Sequence, residues 1–134
     1  MTKIDIDFDA LHTDLWIDGA WRAGTGGERF PVLNPATEEV IATVASADIA
    51  EADAALDAAE AAMKLWAARK PRERSEVLRK AWELMTARLD SFARLITLEN
   101  GKARVDAMGE AAYAAEFFRW FAEEAVRAEG LLMH

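Results

Sequence analysis

The hydrophobic period of this chain changes once, at Ser46, and that change limits what it can fold into. Before Ser46 the apolar residues come in short alternating runs broken by turn residues. After it they recur every three or four positions. The fold class this predicts is α+β and mostly helical, with an N-terminal β-ribbon of hairpins followed by about four helices.

In the first part, residues 15–21 (LWIDGAW) place Asp18-Gly19, a strong hairpin signal, between two short apolar runs. Residues 23–28 (AGTGGE) read as a loop. Residues 30–33 (FPVL) read as a strand in which Pro31 argues for an edge position. Asn34-Pro35 breaks that strand, and residues 40–44 (VIATV) return. Residues 14–45 are thus expected as a β-ribbon layer behind a flexible tail, residues 1–13, with the helices spanning 48–129.

In the second part, Asp48 and Glu51 have the spacing of a capping box, opening a helix over 49–68 whose apolar face runs through Ala52, Leu56, Ala59, Met63 and Trp66. Pro71 suits the first turn of a second helix, which carries Val77, Leu78, Trp82 and Met85 and ends near Arg88. Asp90 is placed to cap a third helix over 91–99, and Asn100-Gly101 to stop it. A last helix over 104–128, stopped by Gly130, carries Tyr113, Phe117, Phe118, Trp120 and Phe121. Aromatics on so many sides exceed one amphipathic face, so cover from beyond its own neighbours is expected.

Size and charge remove several function classes. At 134 residues the chain is long enough for one domain with its own core. No stretch approaches the roughly 18 uncharged apolar residues of a membrane span. The acidic N-terminus lacks the apolar run of a signal peptide, so a cytoplasmic setting is the expectation. The net charge is −8, with Lys and Arg scattered among Asp and Glu, which argues against nucleic-acid binding. There is no cysteine, which removes disulfides, thiolate zinc sites and thiol nucleophiles together.

Candidate chemistry within the chain is sparse. Gly24, Gly26 and Gly27 neither follow a buried parallel strand nor open a helix, so they read as a plain loop. His12 and His134 stand far apart without a carboxylate pattern, and neither a metal nor a general-base role is assigned to them. Glu60, Glu99, Glu110, Glu116, Glu123 and Glu124 read as solvated helix faces, with Glu123 set to pair with Arg119 and Arg127. The cluster Phe117, Phe118, Trp120, Phe121 reads as core more than as a ligand pocket. Tyr113, one turn earlier, needs a polar partner or a cavity for its phenol.

Several of these stretches, taken in order, resemble the start of the aldehyde dehydrogenase superfamily. They are residues 15–21, residues 30–44 (FPVLNPATEEVIATV) with the Asn-Pro-Ala-Thr turn, residues 50–66 ending in a tryptophan, the arginine-rich residues 70–78 (KPRERSEVL), and residues 98–102 (LENGK). The resemblance covers about residues 14–130. Residues 109–125 (GEAAYAAEFFRWFAEEA) are most similar to the NAD(P)-dependent succinate-semialdehyde dehydrogenases.

The resemblance implies a partial aldehyde dehydrogenase fold, the N-terminal part of the cofactor domain. It implies a parent enzyme that oxidises an aldehyde to a carboxylate with NAD or NADP. In that reaction a cysteine thiolate attacks the carbonyl, the thiohemiacetal gives hydride to the nicotinamide, and a glutamate-activated water hydrolyses the thioester. In the family those residues lie downstream of position 134. No catalytic or cofactor-binding residue is therefore carried over, and the chain alone is expected to be inactive. Tyr113 and Phe117 match the helix that lines the aldehyde tunnel. Leu33 and Glu99 match two positions whose backbone carbonyls hold a structural sodium or potassium ion, with a third ligand outside this chain. The partners implied are a small aldehyde and, from the aromatic surface, further copies in a homo-oligomer. The competing reading is a free-standing, non-catalytic interaction or dimerisation module descended from the same family.

Overall fold

The structure, a computed structural model, describes residues 11–127. Strand β1 (Leu15–Ile17) pairs antiparallel with β2 (Ala20–Arg22), Trp16 opposite Trp21. The turn between them holds Asp18 at φ 52° and Gly19 at φ 74°, two successive left-handed residues that match the twist of a tight hairpin. Strand β3 (Arg29–Leu33) pairs antiparallel with β4 (Val40–Ala45), and a register shift between Val32 and Leu33 bends the ribbon. Pro31 lies in a two-stranded sheet, where every strand is an edge. Arg29 ties the second ribbon to the chain ahead of the first, reaching Asp14 at 2.6 Å, the Thr13 hydroxyl at 2.6 Å and the Thr43 carbonyl at 2.9 Å. The Ala45 N–H donates to the Thr13 carbonyl at 2.9 Å.

Four helices follow: α1 (Ile49–Ala68), α2 (Pro71–Thr86), α3 (Leu89–Asn100) and α4 (Arg104–Glu124). The capping box is made as expected. Asp48 Oδ1 accepts from the N–H groups of Ala50 at 2.8 Å and Glu51 at 3.2 Å, and Glu51 Oε2 accepts the Asp48 N–H at 2.9 Å. Pro71 occupies the first turn of α2, and Gly101 ends α3 at φ 74°. No helix among the described residues is long and apolar enough to cross a membrane.

Three local expectations are corrected. Asp90 does not cap α3; it sits inside the first turn, where its carboxylate pairs with Arg94 at 2.6 Å and with Arg104 at the start of α4. Helix α4 ends at Glu124, short of residue 128, and Gly130 lies outside the described residues. Arg119 is ion-paired with Glu116 and Arg127 with Glu124 at 3.0 Å, both at i,i+3, in place of the expected Glu123, whose charge reaches Arg119 without an ion pair.

The core also differs from the expectation of one built on large side chains. Helix α4 packs against α2 and α3. What it buries is an alanine row, Ala107, Ala111, Ala115 and Ala122, with Ala93 of α3 fully covered. Among the described residues no large side chain is completely buried. Alanine permits close approach of helix backbones, but each contributes little apolar area, so this packing is tight and thin. On α1 the residues turned inward are Glu51, Ala54 and Ala58; Ala52, Leu56, Ala59, Met63 and Trp66 are all exposed.

Candidate functional site

Because α4 turns its alanines inward, its aromatic stripe faces solvent. Tyr113, Phe117 and Trp120 follow one another at four and three residues and so share one side of the helix. With Glu116 and Phe121 they line an open groove of about 310 Å³. Tyr113 is 67% exposed and Trp120 60%. The Tyr113 and Phe117 rings meet edge to face, centroids 4.9 Å apart at 78°. The reading of the aromatic cluster as core is overturned: Phe117, Phe118, Trp120 and Phe121 lie on the surface. Glu116 at the groove rim is ion-paired with Arg119, and that hydrogen bond raises the Arg119 pKa.

A second cleft, of about 440 Å³, runs between α2 and α4. Four arginines line it, but each already has a carboxylate. Arg72 and Arg79 share Glu76 at 3.0 and 2.7 Å, Arg119 holds Glu116, and Arg127 holds Glu124. The hydrogen bond from Arg79 keeps the Glu76 carboxyl below its ordinary range. This is a surface ion-pair lattice with its charge neutralised, not a vacant anion site.

The two positions that the resemblance relates to a cation site lie on converging segments. Leu33 ends β3 and Glu99 stands one residue before the end of α3. Two residues beyond each, Pro35 and Gly101 approach so closely that a β-carbon on Gly101 would be 3.0 Å from Pro35 Cγ. Among the described residues no three His, Cys, Asp or Glu side chains cluster as a metal site. His12 stacks on Trp21, centroids 4.3 Å apart at 12°, and His134 lies outside the described residues.

Gly24, Gly26 and Gly27 form a closed turn, with the Gly27 N–H donating to the Gly24 carbonyl at 2.8 Å, and it leads into the antiparallel β3. The loop is fastened by Glu51, whose carboxylate accepts both the N–H and the hydroxyl of Thr25. Hydrogen bonding at Asp48, then at Thr25, lowers the Glu51 carboxyl to about 2, outweighing partial desolvation. The capping box is visible in the sequence. Its second duty is not, since nothing local ties residue 25 to residue 51.

Comparison with known proteins adds what the groove alone does not. Residues 21–133 match the aldehyde dehydrogenase family. The chain is similar to a glutarate-semialdehyde dehydrogenase of Pseudomonas putida, 44% identical over 124 residues that make up 92% of this chain and 26% of the relative. It is also similar to a succinate-semialdehyde dehydrogenase [NADP(+)] of Saccharomyces cerevisiae, 45% identical over 115 residues, 86% of this chain and 23% of the relative. Among solved structures, a succinate-semialdehyde dehydrogenase from Burkholderia pseudomallei superposes with a TM-score of 0.89 at 38% identity, covering 96% of this chain and 27% of that one. The chain thus spans about a quarter of the length of the relatives it matches.

Proposed function

This chain belongs to the aldehyde dehydrogenase family, and on that premise we propose that it serves as the N-terminal part of an enzyme oxidising a short carboxylate-bearing aldehyde, succinate semialdehyde or a near analogue, with NAD or NADP. The observation that carries the reading is the α4 groove. A stripe of Tyr113, Phe117 and Trp120 left in water is unfavourable for an isolated domain and suits a wall whose opposite side another domain supplies. In this reading Tyr113 and Phe117 bound the passage through which the aldehyde reaches the reacting cysteine, excluding water with their rings. The names of the relatives, semialdehyde dehydrogenases of four- and five-carbon substrates, support the substrate class.

The described residues do not themselves fit a dinucleotide. The glycine turn feeds an antiparallel ribbon instead of opening a helix after a parallel strand, and the arginines between α2 and α4 are taken by glutamates. No step of the reaction is assigned to a cofactor held by this chain. Nor does a chain without cysteine hold the thiolate the family's chemistry requires. Its part is structural: it forms a helical layer and one tunnel wall. The backbone carbonyls of Leu33 and Glu99, on segments that converge at Pro35 and Gly101, are the proposed holders of a monovalent cation. A cytoplasmic homo-oligomer is the assembly we propose for the parent.

The test is a dehydrogenase assay with succinate semialdehyde, glutarate semialdehyde and each of NAD and NADP, on this chain and on the product of the reading frame continued past His134. Turnover only in the longer product supports the reading and selects the substrate. Turnover by the 134-residue chain would refute the structural role, and a longer product that turns over neither semialdehyde would refute the substrate class.

A further inference from the structure

The α4 groove is apolar except on one flank. Of the described residues that line it, Glu116 alone carries a charge; Tyr113, Phe117, Trp120 and Phe121 carry none. For an aldehyde that itself bears a carboxylate, Glu116 has the wrong sign. A bare carboxylate beside the passage would repel each incoming anion, and the net charge of −8 on the chain adds to the repulsion.

Arg119 offsets that charge. Three residues on from Glu116, it brings both Nε and Nη2 to Glu116 Oε1. Its guanidinium also feels Glu123, which lines the neighbouring cleft between α2 and α4, so the flank of the groove runs carboxylate, guanidinium, carboxylate. The Glu116 and Arg119 side chains are both about half exposed, and an i,i+3 pair in that setting contributes little to stability. Its larger consequence is the charge it takes out of the groove.

We propose that Arg119 is a specificity-determining residue of the passage: by neutralising Glu116 it admits an aldehyde that bears a carboxylate, whereas Glu116 left unpaired would favour uncharged aldehydes. The proposal rests on the reading of the α4 groove as one wall of that passage. Arg119 acts through Glu116 and through the field, not on the reacting atoms.

The test measures kcat/KM of the longer enzyme for succinate semialdehyde and for its uncharged methyl ester, and follows the ratio of the two. Arg119→Gln uncovers Glu116 and is expected to lower the ratio about fivefold at low ionic strength, mostly through KM, as one unit charge acting across a half-solvated mouth does. Glu116→Gln leaves the guanidinium and should raise the ratio by a similar factor. The double variant removes both charges and should bring the ratio back close to that of the unmodified enzyme, and Arg119→Lys, which keeps the charge, should hold it. In about 1 M salt, where the screening length is about 3 Å, these differences should shrink. A merely structural role would lower kcat/KM for both substrates alike. A ratio that neither single variant moves, or that both move in the same direction, would overturn the proposal. An unmodified longer enzyme that does not oxidise the semialdehyde would instead refute the reading on which the proposal rests.

Discussion

Thr25 and Glu51, 26 residues apart, are joined by two hydrogen bonds to a single carboxylate: the N–H and the hydroxyl of Thr25 both donate to Glu51 Oε1. The other oxygen of the same group accepts the Asp48 N–H at 2.9 Å. One side chain therefore closes the start of α1 and holds the glycine loop against it. The same loop approaches Ser46 closely enough to leave no room for a side chain at Gly24.

This clamp predicts a pH dependence. Hydrogen bonding at Asp48 first, then at Thr25, brings the Glu51 carboxyl from an ordinary 4.5 to about 2. A folded-state value below the unfolded one means the stabilisation is complete above pH 4.5 and is lost as pH falls toward 2. Glu51→Gln is expected to be less stable than the unmodified chain at neutral pH, the difference narrowing through that window. Thermal unfolding of both chains at a series of pH values reads this, and a gap that stays constant down to pH 2 would show that the clamp does not depend on the carboxylate. Asp48→Ala, which removes the N-cap itself, should cost about 1 kcal/mol.

The glycines should separate by environment. A β-carbon on Gly24 would lie 2.2 Å from the Ser46 carbonyl oxygen, so Gly24→Ala forces backbone apart and is expected to be the most destabilising of the three. Gly101→Ala meets Pro35 Cγ at 3.0 Å and must hold φ near 74°, a left-handed conformation that costs an alanine about 1–2 kcal/mol. Gly109 lies within α4, where an added methyl would meet nothing within 4 Å beyond the helix's own backbone, so Gly109→Ala should stabilise, by about 0.5–1 kcal/mol. Denaturant unfolding of the three variants orders them, and a stable Gly24→Ala would contradict the packing of the loop on the end of β4.

Element starts and stops are legible in the sequence because their chemistry is local. Asp18-Gly19, the Asp48–Glu51 box, Pro71 and Gly101 each act within a few residues, and each does what its type requires. What each helix buries is not legible. An alanine row such as Ala107, Ala111 and Ala115 gives almost no hydrophobic signal, whereas Phe117 and Trp120 give a strong one, yet the alanines are inside and the aromatics outside. Hydrophobicity reports that a face wants cover, not that this chain supplies it. Asp90 escapes a local reading for a similar reason, since its partner Arg104 lies 14 residues on and outside any capping rule. The candidate site follows the same split: residues 113 and 117 can be named by resemblance, but their exposure cannot be read from their types.

That inversion makes α4 the place where stability and function should part. Tyr113→Ala and Phe117→Ala remove largely exposed rings and their one edge-to-face contact, so each should change the stability of this chain by no more than about 1 kcal/mol. Ala111→Leu or Ala115→Leu, by contrast, drives a larger side chain into the seam against α2 and α3 and should cost about 1–3 kcal/mol. In the longer enzyme the pattern should reverse in kind. If the two rings bound the aldehyde passage, Tyr113→Ala and Phe117→Ala should lower kcat/KM for the semialdehyde while the melting temperature of the enzyme holds. Ala111→Leu and Ala115→Leu should lower the melting temperature and leave the kinetics of the surviving folded enzyme near normal. Equal losses of stability from both sets would mean the aromatic stripe is covered as ordinary core, and the tunnel role would fall.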